Sequence, residues 1–286
     1  MEIKNILVPT DFSTRANSAL AVAANLARKT GATLSLLHII DVPSEGSAGS
    51  DPIAMVSGGS DDEAIAPYMM KIINYTKEKI AAIKAQYSDV KIVEKVVFDK
   101  VSKQISSFVA DNSTDLVVIG SNGASGIDEV MIGSNTEKVV RLVKCPVIVV
   151  KRDLDDFTPK NVVFASDFES EVSQVINFAK LLHKHYGTKL HLVKIITPNN
   201  FETSETTNKR IESFIGRNKL GDASTNYFNY YTEEEGIISF AQHVEADLVL
   251  LATHGRTGVA RFLMGSIAEN VTNHSPISVA TFKISK

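Results

Sequence analysis

The chain has 286 residues, 44% of them hydrophobic, with a formal net charge of -3 and a single cysteine, Cys145. That length supports two domains with a core each, and the near-neutral balance lacks the basic stripe of a nucleic-acid binder. No apolar run approaches the ~20 residues that cross a bilayer, and the opening "MEIKNILVPTDF" is interrupted by Pro9 and Asp11, unlike a signal peptide. One cysteine excludes an intrachain disulfide and a cysteine zinc cluster, so a soluble cytoplasmic protein is expected, without membrane or nucleic-acid partners.

In chain order, "NILVP" reads as a strand, and Ser13 as the cap of a helix with apolar positions at Ala16, Ala19, Leu20, Ala23, Leu26 and Ala27. Gly31 can end that helix. "TLSLLHII" is the second strand. The Gly- and Ser-rich stretch 43–61 lacks periodicity and reads as a loop. A helix over about 62–86 follows, and its "YMMKIINYTKEKIAAI" segment has the apolar spacing of a core helix. Then come the strand "IVEKVVF", a helix near 102–110, the strand "DLVVIG", a helix after Ser134 and the strand "PVIVV". Apolar strands alternating with helices predict an α/β fold, a doubly wound parallel sheet covered on both faces.

The pattern then repeats. "KNILVPTDFS" from Lys4 matches "KNVVFASDFE" from Lys160, and Asp11 and Gly31 match Asp167 and Gly187 at the same spacing of 156. "DLVVIGSNGASG" from Asp115 matches "DLVLLATHGRTG" from Asp247, and Gly133-Ser134 match Gly265-Ser266, at a spacing of 132. The chain is a duplication, with units expected over 1–152 and 156–286 divided near "KRDLDDFTP". Ligands of such sheets bind beyond the carboxyl ends of the strands, where strand order reverses. Asp11, the stretch from Ile39 to Asp41, and Gly120 all fall on that rim.

Glycines 120, 123, 126 and 133 have two readings. They can be turn residues, with Ser134-x-x-Glu137 and Ser266-x-x-Glu269 acting as capping boxes that need no ligand. Alternatively they let backbone amides close on a phosphate at an open helix N-terminus. The equal nine-residue interval to Gly-Ser in both copies favours the second. No Gly-Lys-Ser/Thr and no Gly-x-Gly-x-x-Gly after a first strand is present, so neither a P-loop nor a dinucleotide fold is indicated.

Gly120-x2-Gly123-x9-Gly133-Ser134, together with "VPTDFS" after the first strand, resembles the nucleotide-binding signature of universal stress proteins. The resemblance covers nearly all of both halves. It implies two tandem Rossmann-like domains of the adenine nucleotide alpha-hydrolase-like type, a stress-response role, and a site for ATP or a related adenine nucleotide, with Mg²⁺ accompanying it. Carried over, Asp11 sits by the adenosine with Pro9 and Thr10 shaping its pocket, and Ile39 meets adenine through its backbone. Ile119 and Gly120 lie under the ribose and phosphates, which Gly123, Gly133, Ser134, Asn135 and Thr136 hold. In the second copy Asp167, Ile195, Gly255, Gly265 and Ser266 remain, but Ala165, Ala252 and Ile267-Ala268 replace Pro9, Gly120 and Asn135-Thr136.

Shape and motif thus favour the first half, and a positive φ at Gly120 would widen the gap, because Ala252 carries a Cβ. Charge points the other way: Asp128 and Glu129 lie in the first glycine stretch, whereas His254, Arg256 and Arg261 lie in the second. Arginine suits phosphate, and those side chains serve equally as solvated surface. His183 and His185 are badly spaced for a metal, His38 and His191 read as packed, Cys145 as a structural thiol, and Glu233-Glu234-Glu235 as a solvated helix start. No catalytic residue is marked. The expected action is a nucleotide-set change of conformation or of an unnamed protein partner. Slow ATP hydrolysis, phosphotransfer, or a pure interaction module are the alternatives. The halves are expected to pair about a pseudo-twofold axis, with "PVIVV" and "PISVATF" meeting as equivalent patches do in a homodimer, and a homodimer of the whole chain is a further expectation.

Overall fold

The structure, a computed structural model, describes residues 2–40, 62–98, 101–121, 132–254 and 264–284. The first half runs β1 (Asn5–Thr10), α1 (Thr14–Thr30), β2 (Thr33–Ile40), α2 (Asp62–Gln86), β3 (Ile92–Phe98), α3 (Val101–Asp111), β4 (Leu116–Gly120), α4 (Ser134–Leu142) and β5 (Val147–Val150). The second repeats it as β6 (Asn161–Ala165), α5 (Ser173–Tyr186), β7 (Lys189–Ile196), α6 (Ser204–Asn218), β8 (Ser224–Asn229), α7 (Glu233–His243), β9 (Leu248–His254), α8 (Met264–His274) and β10 (Ser278–Ile284).

Local chemistry sets the boundaries. The Ser13 hydroxyl accepts from the Ala16 amide at 3.2 Å, and Gly31 closes α1 at φ 75° while its amide bonds to Ala27. Gly187 closes α5 in the same way at φ 67°. In α2, Ile80 and Ile83 are buried as the periodicity predicts, whereas Met70 and Tyr75 remain more than half exposed. Residues 70–75 are therefore less of a core helix than their spacing indicates.

The described strands form one ten-stranded sheet in the order β3-β2-β1-β4-β5-β10-β9-β6-β7-β8. Neighbours are parallel except β5 and β10, which pair antiparallel at the centre. On one face a single core crosses the middle, joining Leu20 and Leu26 of α1 to Phe178 of α5 and Phe214 of α6. On the other face each half has its own core, under α3 and α4 in one and α7 and α8 in the other.

The central pairing is pseudo-symmetric. Val117 faces Val147 and Val249 faces Val279, so β5 and β10 keep the 132-residue spacing of β4 and β9. Val149 pairs with Val279, Thr281 with Val147, and Ile148 with Ala280, its own equivalent, on the axis. Duplicated staples hold each half. Asp115 accepts from the amides of Lys4 and Asn5 at 2.8 and 2.9 Å, and Asp247 from those of Lys160 and Asn161 at 2.6 and 2.9 Å.

Candidate functional site

The strand order reverses at β1/β4 and again at β6/β9, and a crevice opens above each reversal. Pro9, Thr10, Asp11, Ile39, Ile119, Gly120, Gly133, Ser134, Asn135 and Thr136 line the first, a cavity of about 210 Å³. These residues come from β1, β2, β4 and the start of α4, so the topology gathers positions far apart in sequence. Gly123, Gly255 and Arg256 lie outside the described residues, as do Asp41, Asp128, Glu129 and Arg261. Gly265 and Ser266 belong to the first turn of α8.

The turn after β1 is built from its own side chains. The Phe12 amide donates to Thr10 Oγ1 and the Ser13 amide to Asp11 Oδ1, each at 3.0 Å, with Phe12 at φ 62°. His38 Nδ1 donates to the Thr10 carbonyl at 2.8 Å, and its ring lies 4.5 Å from that of Phe12. The second half copies the turn: Phe168 also has φ 62°, its amide donates to Ser166 Oγ, and the Glu169 amide donates to Asp167 Oδ1, both at 3.0 Å. Two non-glycine residues in the left-handed region at equivalent positions show that the strained turn belongs to the fold of both copies.

The capping-box reading of the glycine segment is overturned. Helix α4 begins at Ser134, and its N-cap is Gly133, which has no side chain to accept from the first amides. Ser134 stands one residue too far along to cap. Glu137 reaches forward to Arg141 at 3.6 Å rather than back to the cap. In the second half α8 already begins at Met264, so Ser266 is inside the helix. The α4 N-terminus thus faces the crevice without a capping side chain and with the positive end of its dipole. Thr136 is buried, and its hydroxyl donates to the Gly120 carbonyl at 2.9 Å, tying α4 to the end of β4. Ala268 stands at that place in the second half and cannot repeat the bond.

Gly120 is a glycine for a reason other than φ. Positive φ occurs among the described glycines at Gly31 and Gly187. A Cβ on Gly120 would instead meet the backbone carbonyl carbon and oxygen of Arg15 at 2.9 Å. Arg15 lies in the first turn of α1. Its equivalent, Glu171, precedes α5, which begins only at Ser173.

The second crevice, about 450 Å³, holds Asp167 and Ile195 together with Ala252, Ile267 and Ala268. It also holds charges that the sequence reading missed. Lys194, buried, pairs with Glu202 at 2.7 Å, and Arg210 bridges Glu202 at 2.6 Å and Glu169 at 3.0 Å. Partial burial pushes the Glu202 carboxyl up, but the bond from Lys194 and its charge, with Thr207 and Arg210, bring it below the ordinary value overall. Asn200 bonds to Glu233 at 2.6 Å, and Glu234 accepts from His274 at 2.7 Å, so the triple-Glu helix start is engaged rather than simply solvated. A lysine at the position of His38, inside the apolar run "LHLVKII", was the available signal, because a buried ammonium demands a partner.

Cys145 is inert by environment, burial pushing its thiol up to about 12. His191 is buried and bonded to Asn161 and Ser224, and His38 is packed, as their strand positions predict. His183 is exposed and donates to the Thr188 carbonyl. Among the described residues no helix is long and apolar enough to cross a membrane.

The family model described as "Universal stress protein family" matches residues 2–151 and 231–283. Universal stress protein Slr1230 of Synechocystis is 22% identical over 310 aligned positions, covering 98% of this chain and 100% of the relative. Universal stress protein MJ0577 of Methanocaldococcus jannaschii is 30% identical over 154 residues, covering 52% of this chain and 95% of the relative. A universal stress protein from Archaeoglobus fulgidus superposes with a TM-score of 0.69 at 20% identity, over 99% of both chains, a likeness of fold. With both family segments falling on the two copies of the α/β unit, the chain belongs to the universal stress protein family.

Proposed function

We propose that this stress-response protein binds ATP or a related adenine nucleotide in the first crevice, with Mg²⁺ accompanying the phosphates, and acts through the conformation or partner contacts that the nucleotide sets. The observation that carries the reading is the α4 N-terminus, capped only by Gly133 and facing the Thr10-Asp11 turn across Gly120. Its early amides suit phosphate oxygens, while Pro9, Ile39 and Ile119 supply an apolar wall for a base and ribose. The two functional units correspond to 1–152 and 156–286, and a cytoplasmic setting follows from the same reading.

Mass spectrometry of small molecules released from denatured, purified protein tests for retained nucleotide. In nucleotide-free protein, ATP with Mg²⁺ at one hundred times its dissociation constant adds ~2.7 kcal/mol of stability. At ~2–4 °C per kcal/mol, the melting temperature rises by roughly 5–10 °C. An unmoved melting curve in nucleotide-free protein at millimolar ATP overturns the reading.

A further inference from the structure

The connection from β7 to α6 folds back over the rim of its own sheet. Ser166 donates its amide to the Val193 carbonyl at 3.2 Å, closing the β6 side of β7 just below the rim. The Ile196 carbonyl accepts from the Tyr230 amide at 3.0 Å, on the β8 side. Alternation along a strand therefore turns the Ile195 carbonyl and the Thr197 amide toward the crevice above β6. Asn200 takes both. Its Nδ2 donates to the Ile195 carbonyl at 3.2 Å, and its Oδ1 accepts from the Thr197 amide at 2.6 Å. The other Nδ2 proton goes to Glu233 Oε1 at 2.6 Å. These partners dictate the orientation of the amide, since oxygen must face the N–H and nitrogen the two acceptors.

A carboxamide carries a donor and an acceptor side by side. So does the amidine edge of adenine, an exocyclic N–H beside a ring nitrogen. Both pair with the same backbone carbonyl and amide, and one edge admits one occupant. We propose that Asn200 is a built-in occupant of the base-recognition edge of the second half, so that this cavity takes an adenine base only when Asn200 is displaced. The proposal rests on the adenine-nucleotide reading given above and deepens it by naming the residue that decides between the halves.

Two further features support it. The second cavity holds about 450 Å³ with Asn200 in place, so lack of room does not distinguish it. The Lys194–Glu202–Arg210–Glu169 charges beside Asn200 are satisfied among themselves, leaving a self-contained polar set. In the first half Ile39 stands in the register of Ile195, but Ser44 occupies the position of Asn200 in sequence, and the connection there spans the much longer 41–61.

The test is calorimetric titration of the nucleotide-free full chain with ATP and Mg²⁺, for wild type, Asn200→Ala and Asn200→Asp. Asn200→Asp keeps the acceptor for Thr197 but sets a carboxylate against the Ile195 carbonyl and Glu233, so it opens the edge without removing side-chain volume. The expected result is one equivalent for wild type and two for either variant, with the Thr197 amide resonance moving on titration in the variants. Two equivalents in wild type, or one equivalent in both folded variants, overturns the proposal while sparing the nucleotide reading. No binding by any of the three overturns the nucleotide reading and this inference with it.

Discussion

Lys283 donates from Nζ to the carbonyl of Arg141 at 2.5 Å, across the boundary between the halves. Its equivalent Lys151 does the same to Asn273, the equivalent of Arg141, at 3.1 Å. Each half thus places a cation at the C-terminal turn of the other half's last helix, where the dipole favours it. The same α4 that ends under Lys283 begins at the first crevice, so one rigid element touches both the candidate site and the boundary. Lys283→Met is expected to cost about 0.5–2 kcal/mol in urea unfolding. An unchanged midpoint would show that the contact carries no stability.

Lys151 gives a pH signature. Burial, with a smaller push from the Arg15 charge, lowers its amine from 10.5 to about 8. Between those values the unfolded chain holds a proton that the folded chain has released, so this group adds stability as pH rises from about 8 toward 10.5, and adds no slope below 8. Lys151→Met should flatten that rise relative to wild type. Parallel stability curves from pH 8 to 10.5 for the two proteins would refute the assignment.

His191 works at the acid end. Burial first, then the Lys189 charge, hold its imidazole below the ordinary 6.5. The unfolded chain therefore takes up a proton that the folded chain refuses, and stability falls as pH drops through and below that ordinary value. His191→Gln should lose less stability between neutral and mildly acid pH than wild type does. Chemical denaturation at a series of pH values decides it.

At the first crevice, Gly120→Ala pushes a methyl against the Arg15 backbone and is expected to cost about 1–3 kcal/mol. Ala252→Gly has no such clash to test: it loses a buried methyl and gains the backbone freedom of glycine, together about 1–2 kcal/mol. An unchanged urea midpoint for Gly120→Ala would mean that the α1 start does not press on Gly120.

Thr136→Val removes the donor to the Gly120 carbonyl and leaves a buried acceptor unpaired, at about 1–3 kcal/mol. Thr136→Ser keeps the hydroxyl and should recover most of that loss. If serine fails to restore stability beyond valine, the hydrogen bond is not what Thr136 contributes.

The duplication and the alternation of strands and helices were legible because they rest on residues with local physical duties. Asp115 and Asp247 staple the same pair of amides, and Gly31 and Gly187 end the same helix in the left-handed region. The convergence of Asp11, Ile39, Gly120 and Ser134 followed from topology, since strand ends share a rim. The capping-box reading stayed open because Ser-x-x-Glu fixes a helix start only to within a residue, and Gly133 holds the cap position instead of Ser134. The restraint on Gly120 was not legible because it comes from Arg15, over a hundred residues away. Asn200, Glu202 and Arg210 were invisible for a related reason. They sit on a connection and a helix face whose meeting depends on where 197–203 folds, and no local periodicity records that.

The Ile148–Ala280 pair says something about what joining the copies in one chain permits. In a dimer of identical chains, a residue on the twofold axis must meet itself, so a bulky side chain there faces an equally bulky one. Here a large side chain meets a small one, both buried, at the centre of the continuous sheet. That complementary fit is open only to partners encoded separately. A substitution at one side can then be compensated at the other, and each half is free to diverge at its crevice while the seam between them stays packed.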